Sequence, residues 1–192
     1  MLTLCAVLAA CSGTGSSPGS TGSSEVPVDP AEASTGSTSG PALRLARRRA
    51  EVVYVSDGDT IGVRLRAQER VRPVRLLGID TPETKDPHSG VECGGPEASR
   101  ALADLLPRGT AVTLVADPAE DRFDRFGRLL RYVDTAAHGD VALVLLRRGL
   151  ARYYRYDHEG ARFPSYRAAE DRARGAGRGS WSACPGFGRP GG

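Results

Sequence analysis

The sequence predicts an α+β fold: a small, partly open barrel of five short strands with three helices, of the OB-fold type. Three observations lead there. Short runs rich in β-branched residues are punctuated by Gly and Asp. A helical face falls between the third and fourth of these runs, and two further helical segments follow the fifth.

The elements follow in order. Val52, Val53, Tyr54 and Val55 are strand formers, Asp57-Gly58 is a turn signal, and Thr60 to Leu65 alternates after it. Val71 to Ile79 is a third strand, with Pro73 tolerable at an edge or bulge. A loop rich in Pro, Gly and charge runs over 80–95. A helix then starts with Pro96 at its first position. Its apolar residues Ala98, Ala101, Leu102, Leu105 and Leu106 share one face, and Pro107 and Gly109 end it. Strands are predicted over 111–116 and 129–133, separated by the charged loop 117–128. Asp140 can cap a helix running to Arg148, with Gly149 as its C′ residue. The last helix is predicted over 164–174, with Tyr166, Ala169 and Ala173 on one face.

Charge narrows the function. The chain has 192 residues and a formal net charge of +3. The first forty residues hold no Lys or Arg and only Glu25, Asp29 and Glu32, so the remainder carries 26 bases against 20 acids, a net +6. Only Lys85 is lysine; the other 25 cations are Arg. This excludes a polytopic membrane protein, a wholly disordered chain and an acidic binding module. It favours a basic domain with an anionic partner.

The front of the chain has a different character. Residues 2–11 are apolar and about half the ~20 residues a spanning helix needs, so they read as the hydrophobic part of a secretory signal. Leu8-Ala9-Ala10-Cys11 resembles a bacterial lipobox, which implies cleavage that leaves Cys11 lipidated. Cleavage without lipidation is the alternative. Residues 12–40 include 22 Ser, Gly, Thr and Pro out of 29 and read as a flexible tether. The expected organisation is a signal peptide over 1–11, a disordered linker over 12–43, a folded domain over 44–184 and a flexible tail over 185–192. An exported or cell-surface, lipid-anchored location follows from this reading.

With Cys5 and Cys11 assigned to the signal, the domain holds Cys93 and Cys184. An exported two-Cys domain favours a disulfide. It would close a loop of about 90 residues, stabilising by roughly 4–5 kcal/mol in the chain-entropy model. A metal site is the rival, but neither Cys lies in a Cys-x-x-Cys pair and His88, His138 and His158 are scattered.

Three segments concentrate chemistry at what would be the barrel rim. Asp57-Gly58-Asp59-Thr60 fits either an ordinary hairpin turn or a hard-cation site, since calcium takes carboxylate and carbonyl oxygens. In Arg75-Leu76-Leu77-Gly78-Ile79-Asp80-Thr81-Pro82-Glu83, Arg75 fits either an ion pair or bidentate phosphate binding. A carboxylate there that is free of metal can orient and deprotonate water. Asp124-Arg125-Phe126-Gly127-Arg128 reads as a solvated loop or as the source of a second phosphate-binding Arg. Together they form an inventory for phosphodiester hydrolysis: water, a base and cations that neutralise charge developing on phosphate.

These segments, with Gly95-Pro96-Glu97-Ala98-Ser99, Leu146-Arg147-Arg148-Gly149-Leu150-Ala151 and Gly179-Ser180-Trp181, resemble the staphylococcal-nuclease-like (thermonuclease) family, in order and at similar spacing, over about 48–182. The resemblance implies an OB-fold barrel with three helices and a Ca²⁺-dependent nuclease acting on DNA and RNA; separately, the chain is expected to be a monomer. It implies Asp59 and Asp80 as carboxylate ligands of calcium and Thr81 as a carbonyl ligand. Glu83 is then the general base, Arg75 and Arg128 hold the scissile phosphate, Asp57 stands nearby, and products end in 3′-phosphate. The family's tyrosine in the Asp124–Arg128 segment is Phe126 here. Tyr153, Tyr154 and Tyr156 stand where the family has aromatics, and fit either base stacking or the core. A non-catalytic nucleic-acid-binding OB-fold is the competing reading.

Overall fold

The computed structural model describes residues 46–66, 69–85, 90–156 and 158–188. The signal and linker readings lie outside these residues. Five long strands close a barrel: β1 (Arg47–Val55), β2 (Thr60–Leu65), β3 (Val71–Leu76), β5 (Ala111–Val115) and β6 (Leu129–Thr135). Their order is β3-β2-β1-β5-β6, and β6 returns to pair parallel with β3, so no long edge is left open. This is the expected α+β OB-type barrel.

Alternation along the strands directs Val52, Ile61, Val63, Val74, Leu76, Leu114 and Val133 into the barrel core, all essentially fully buried. Pro73 is accommodated opposite Gly62. The helices are α1 (Gly95–Leu105), α2 (Val141–Arg148), α3 (Phe163–Gly175) and the short α4 (Ser180–Ala183). The first three match the sequence expectation, including the apolar face of α1 and burial of Tyr166, Ala169 and Ala173 on α3. Among the described residues, no helix is long and apolar enough to cross a membrane.

The helix caps explain how the C-terminal layer is held. The Asp140 carboxylate accepts the Leu143 N–H at 3.2 Å, and Gly149 closes α2 with φ +69°. A Cβ on Gly149 would also run into the Arg178 carbonyl. Gly149→Ala is therefore expected to destabilise the fold by at least about 1 kcal/mol from the left-handed backbone alone, read as a lower urea midpoint. Three two-residue strands are new: β4 (Ile79–Asp80), β7 (Gly139–Asp140) and β8 (Arg152–Tyr153). Pairing of β4 with β8 brings Asp80 opposite Arg152. Cys93 and Cys184 form the expected disulfide, with Cα atoms 5.6 Å apart. Phe187 folds back onto Trp181, ring centroids 4.6 Å apart, so the chain just after Cys184 is packed.

Candidate active site

Barrel register assembles the three rim segments. Thr60 opens β2 opposite Arg75 of β3, and Arg75 is opposite Leu130 of β6. The Asp59 carbonyl accepts the Leu76 N–H at 2.8 Å, locking the first segment to the second. Gly58 allows this approach, because a Cβ there would lie 2.6 Å from the Thr81 hydroxyl.

Arg75 is the hub. Its Nη2 lies 2.9 Å from Asp59 Oδ2 and 3.0 Å from Asp80 Oδ1, while Nη1 donates to the Ile79 carbonyl at 2.8 Å. Asp80 Oδ2 meets Arg152 Nη2 at 2.7 Å. Asp59 also accepts the Thr81 N–H at 3.2 Å and the Thr60 hydroxyl at 2.9 Å. Burial opposes the charge on Arg75, but Asp59 in particular, with Tyr156 and Asp80, raises its pKa above the ordinary value. Burial pushes the Asp59 carboxyl up to about 7, with Asp57 and Asp80 adding to the push and Arg75 opposing it.

This shift has a sign that can be tested. The folded pKa of about 7 exceeds the ordinary 3.8, so the stability Asp59 contributes is complete below about pH 4 and is lost as pH rises through 7. In chelator, the melting temperature of the wild type relative to Asp59→Asn should fall between about pH 4 and 7. A constant difference across that window would contradict the assignment.

Arg75 thus brings Asp59 and Asp80 together, and Thr81 meets Asp59 through its N–H and hydroxyl, not through the carbonyl that the sequence reading assigns to the ion. The donors are oxygens only, which fits a hard divalent cation such as Ca²⁺. A buried carboxylate with raised pKa beside a second carboxylate gains from added positive charge. Among the described residues, no group of three or more His, Cys, Asp or Glu gathers as a metal cage. Any ion here would therefore rely on the two carboxylates, completed by other oxygens such as water.

Arg128 joins through Thr60, whose hydroxyl accepts from Nη1 at 3.3 Å. Its Nε is held by Asp124 Oδ2 at 2.6 Å, and Gly127 at φ +76° makes the turn that permits this. Glu83 stands three residues beyond Asp80. Its Oε1 accepts the Thr84 and Lys85 N–H groups at 2.7 and 2.8 Å, so its carboxylate faces its own loop and does not touch Arg75 or Arg128.

A cleft of about 780 Å³ opens beside these groups, lined by Arg75, Asp80, Arg128, Phe126, Tyr154 and Tyr156 among others. Phe126 is 68% exposed, with Arg125 and Arg128 over its ring. The tyrosines divide. Tyr153 packs edge-on against Phe163, with ring centroids 5.4 Å apart, and Tyr156 is partly buried against the core. Tyr154 is exposed at the cleft and meets Tyr156 at 4.8 Å. A separate hollow of about 850 Å³, by Arg49, Arg64 and Ala111, contains none of the site residues. The sequence alone marks no role for Arg152, Asp124 or Thr60. Spacing of Asp124 and Arg128 at i and i+4 was the one local hint, whereas Arg152 meets Asp80 only through long-range pairing.

Comparison with known proteins bears on the family of the chain. The model of the staphylococcal nuclease homologue family matches residues 73–183. The SPbeta prophage-derived endonuclease YokF of Bacillus subtilis is 39% identical over 127 residues, covering 66% of this chain and 41% of the relative. Endonuclease YncB of the same species is 38% identical, covering 66% and 58%. The thermonuclease of Staphylococcus hyicus is 40% identical over 83 residues, covering 43% and 46%. The chain spans about half the length of these relatives. With the family match over more than half of the chain, and the closed barrel that carries it, the chain belongs to the staphylococcal nuclease homologue family.

Proposed function

We propose that this chain is a calcium-dependent nuclease that hydrolyses phosphodiester bonds of DNA or RNA and leaves 3′-phosphate ends. The observation that carries this reading is one guanidinium, Arg75, spanning two carboxylates, Asp59 and Asp80, at the mouth of a cleft that also presents Arg128. Family relatives named endonuclease and thermonuclease support it.

Asp59, Asp80 and the Thr81 carbonyl would hold Ca²⁺. When bound, the ion supplies positive charge that binds phosphate and stabilises the charge it develops. Arg75 turns from its carboxylates toward a phosphate oxygen, for which its planar fork is suited. Arg128, kept in place by Asp124, presents its remaining N–H groups to the same phosphate. Glu83 accepts a proton from water as the water attacks phosphorus, the bond to the 5′-oxygen breaks, and that oxygen takes a proton from solvent to leave as a hydroxyl. Exposed Tyr154 and Phe126 offer faces on which bases can stack. The protein would act as a monomer, exported and tethered to the membrane surface through a lipid on Cys11, with 12–43 as the tether.

The test is degradation of single-stranded DNA in Ca²⁺, in Mg²⁺ and in chelator. Cleavage with Ca²⁺ that stops in chelator is expected. An oligonucleotide that is bound but left intact in Ca²⁺ would favour the non-catalytic binding module. Affinity should fall with added salt, because neutralised phosphates release counterions.

A further inference from the structure

The turn that precedes α1 makes contacts the proposed reaction does not use. The Glu83 N–H donates to Glu92 Oε2 at 2.9 Å, and the Glu92 N–H donates back to the Glu83 carbonyl at 2.9 Å. The Glu92 carbonyl accepts the Gly95 N–H at 3.1 Å, where α1 begins. A Cβ on Gly95 would lie 2.9 Å from the Glu83 carbonyl, so the two segments are in direct contact.

The next residue, Cys93, is bonded to Cys184 at the end of α4. That helix is itself fixed: Ser180 is 2% exposed, and its N–H donates to the Gly149 carbonyl at the end of α2 at 2.9 Å. Bonds therefore run without a break from the α2 cap through α4 and the disulfide to Glu92 and the Glu83 main chain. Among the described residues, the Glu83 carboxylate, by contrast, is held by N–H groups of its own loop alone.

The geometry points to Glu92 and the Cys93–Cys184 bridge as a clamp that positions Glu83 for its work as base, an inference that rests on the reading of Glu83 given above. A carboxylate accepting a main-chain N–H makes a charge-assisted bond, stronger than a neutral one. Catalytic geometry is sensitive, since a displacement of about 1 Å can cost ~100-fold in rate. Glu92 is thus a positioning residue, and the disulfide holds it in register.

The test uses the full chain as Glu92→Ala, Glu92→Gln and Cys93→Ser/Cys184→Ser, each assayed well below its own melting temperature. Two quantities are read: kcat and KM on single-stranded DNA with Ca²⁺, and hydrogen exchange of the Glu83 amide. Glu92→Ala should lower kcat roughly 10–100-fold, change KM by less than about twofold, and speed exchange at Glu83. Glu92→Gln, whose amide oxygen can still accept the bond, should restore most of kcat. The double serine variant should move both readouts in the same direction as Glu92→Ala. Should it fail to fold, the two Glu92 variants decide alone. Unchanged kcat in Glu92→Ala, or unchanged exchange at Glu83, overturns the clamp. Full activity in Glu83→Gln would instead remove Glu83 as base, and the exchange result would stand apart from it.

Discussion

Glu83→Gln is expected to slow hydrolysis by roughly 10²–10⁴-fold, the usual worth of a positioned general base, with oligonucleotide affinity and melting temperature almost unchanged. The separation follows from the local bonding. Glu83 Oε1 accepts the Thr84 and Lys85 N–H groups, and glutamine retains an oxygen able to do the same. The loop therefore keeps its shape while the group loses its basicity. Steady-state rates and a binding isotherm on one oligonucleotide check both halves. An unchanged rate would take Glu83 out of the mechanism.

Arg75→Ala should be the most damaging single change to stability and activity together. Arg75 is buried and joins Asp59, Asp80 and the Ile79 carbonyl. Its removal leaves two neighbouring carboxylates without their shared cation, and breaking a buried pair this way costs roughly 3–5 kcal/mol. Loss of one group that stabilises charge on the phosphate should also cost about 10²–10³ in rate. Added Ca²⁺ should recover part of the lost melting temperature, because it would supply the missing positive charge to Asp59 and Asp80. Thermal unfolding with and without Ca²⁺ measures the effect. Equal stability of wild type and Arg75→Ala in chelator would mean that the hub carries no weight.

Local signals in the sequence carried much of the fold. Asp140 and Gly149 bracket α2 because capping chemistry is short-range, and both act as caps in the structure. Runs of strand-forming residues bounded by turn residues mark the five barrel strands for the same reason. The two-residue strands β4 and β8 were not legible, since neither has a pattern of its own and each exists only by pairing with the other. That pairing also decides the aromatics. It turns Tyr153 onto Phe163 and leaves Tyr154 exposed, a distinction adjacent positions could not carry without the register. The site shows the same division. Asp59, Asp80 and Arg75 are recognisable as residue types at a spacing, whereas Arg152 on Asp80 and Glu92 on Glu83 are products of tertiary contact.

The most direct measurement is mass spectrometry of the products from one defined single-stranded oligonucleotide, incubated with the protein in Ca²⁺ and, in parallel, in chelator. The expected result is fragments ending in 3′-phosphate in Ca²⁺ and intact oligonucleotide in chelator. Intact oligonucleotide in both, or the same fragments in both, would contradict the calcium-dependent nuclease.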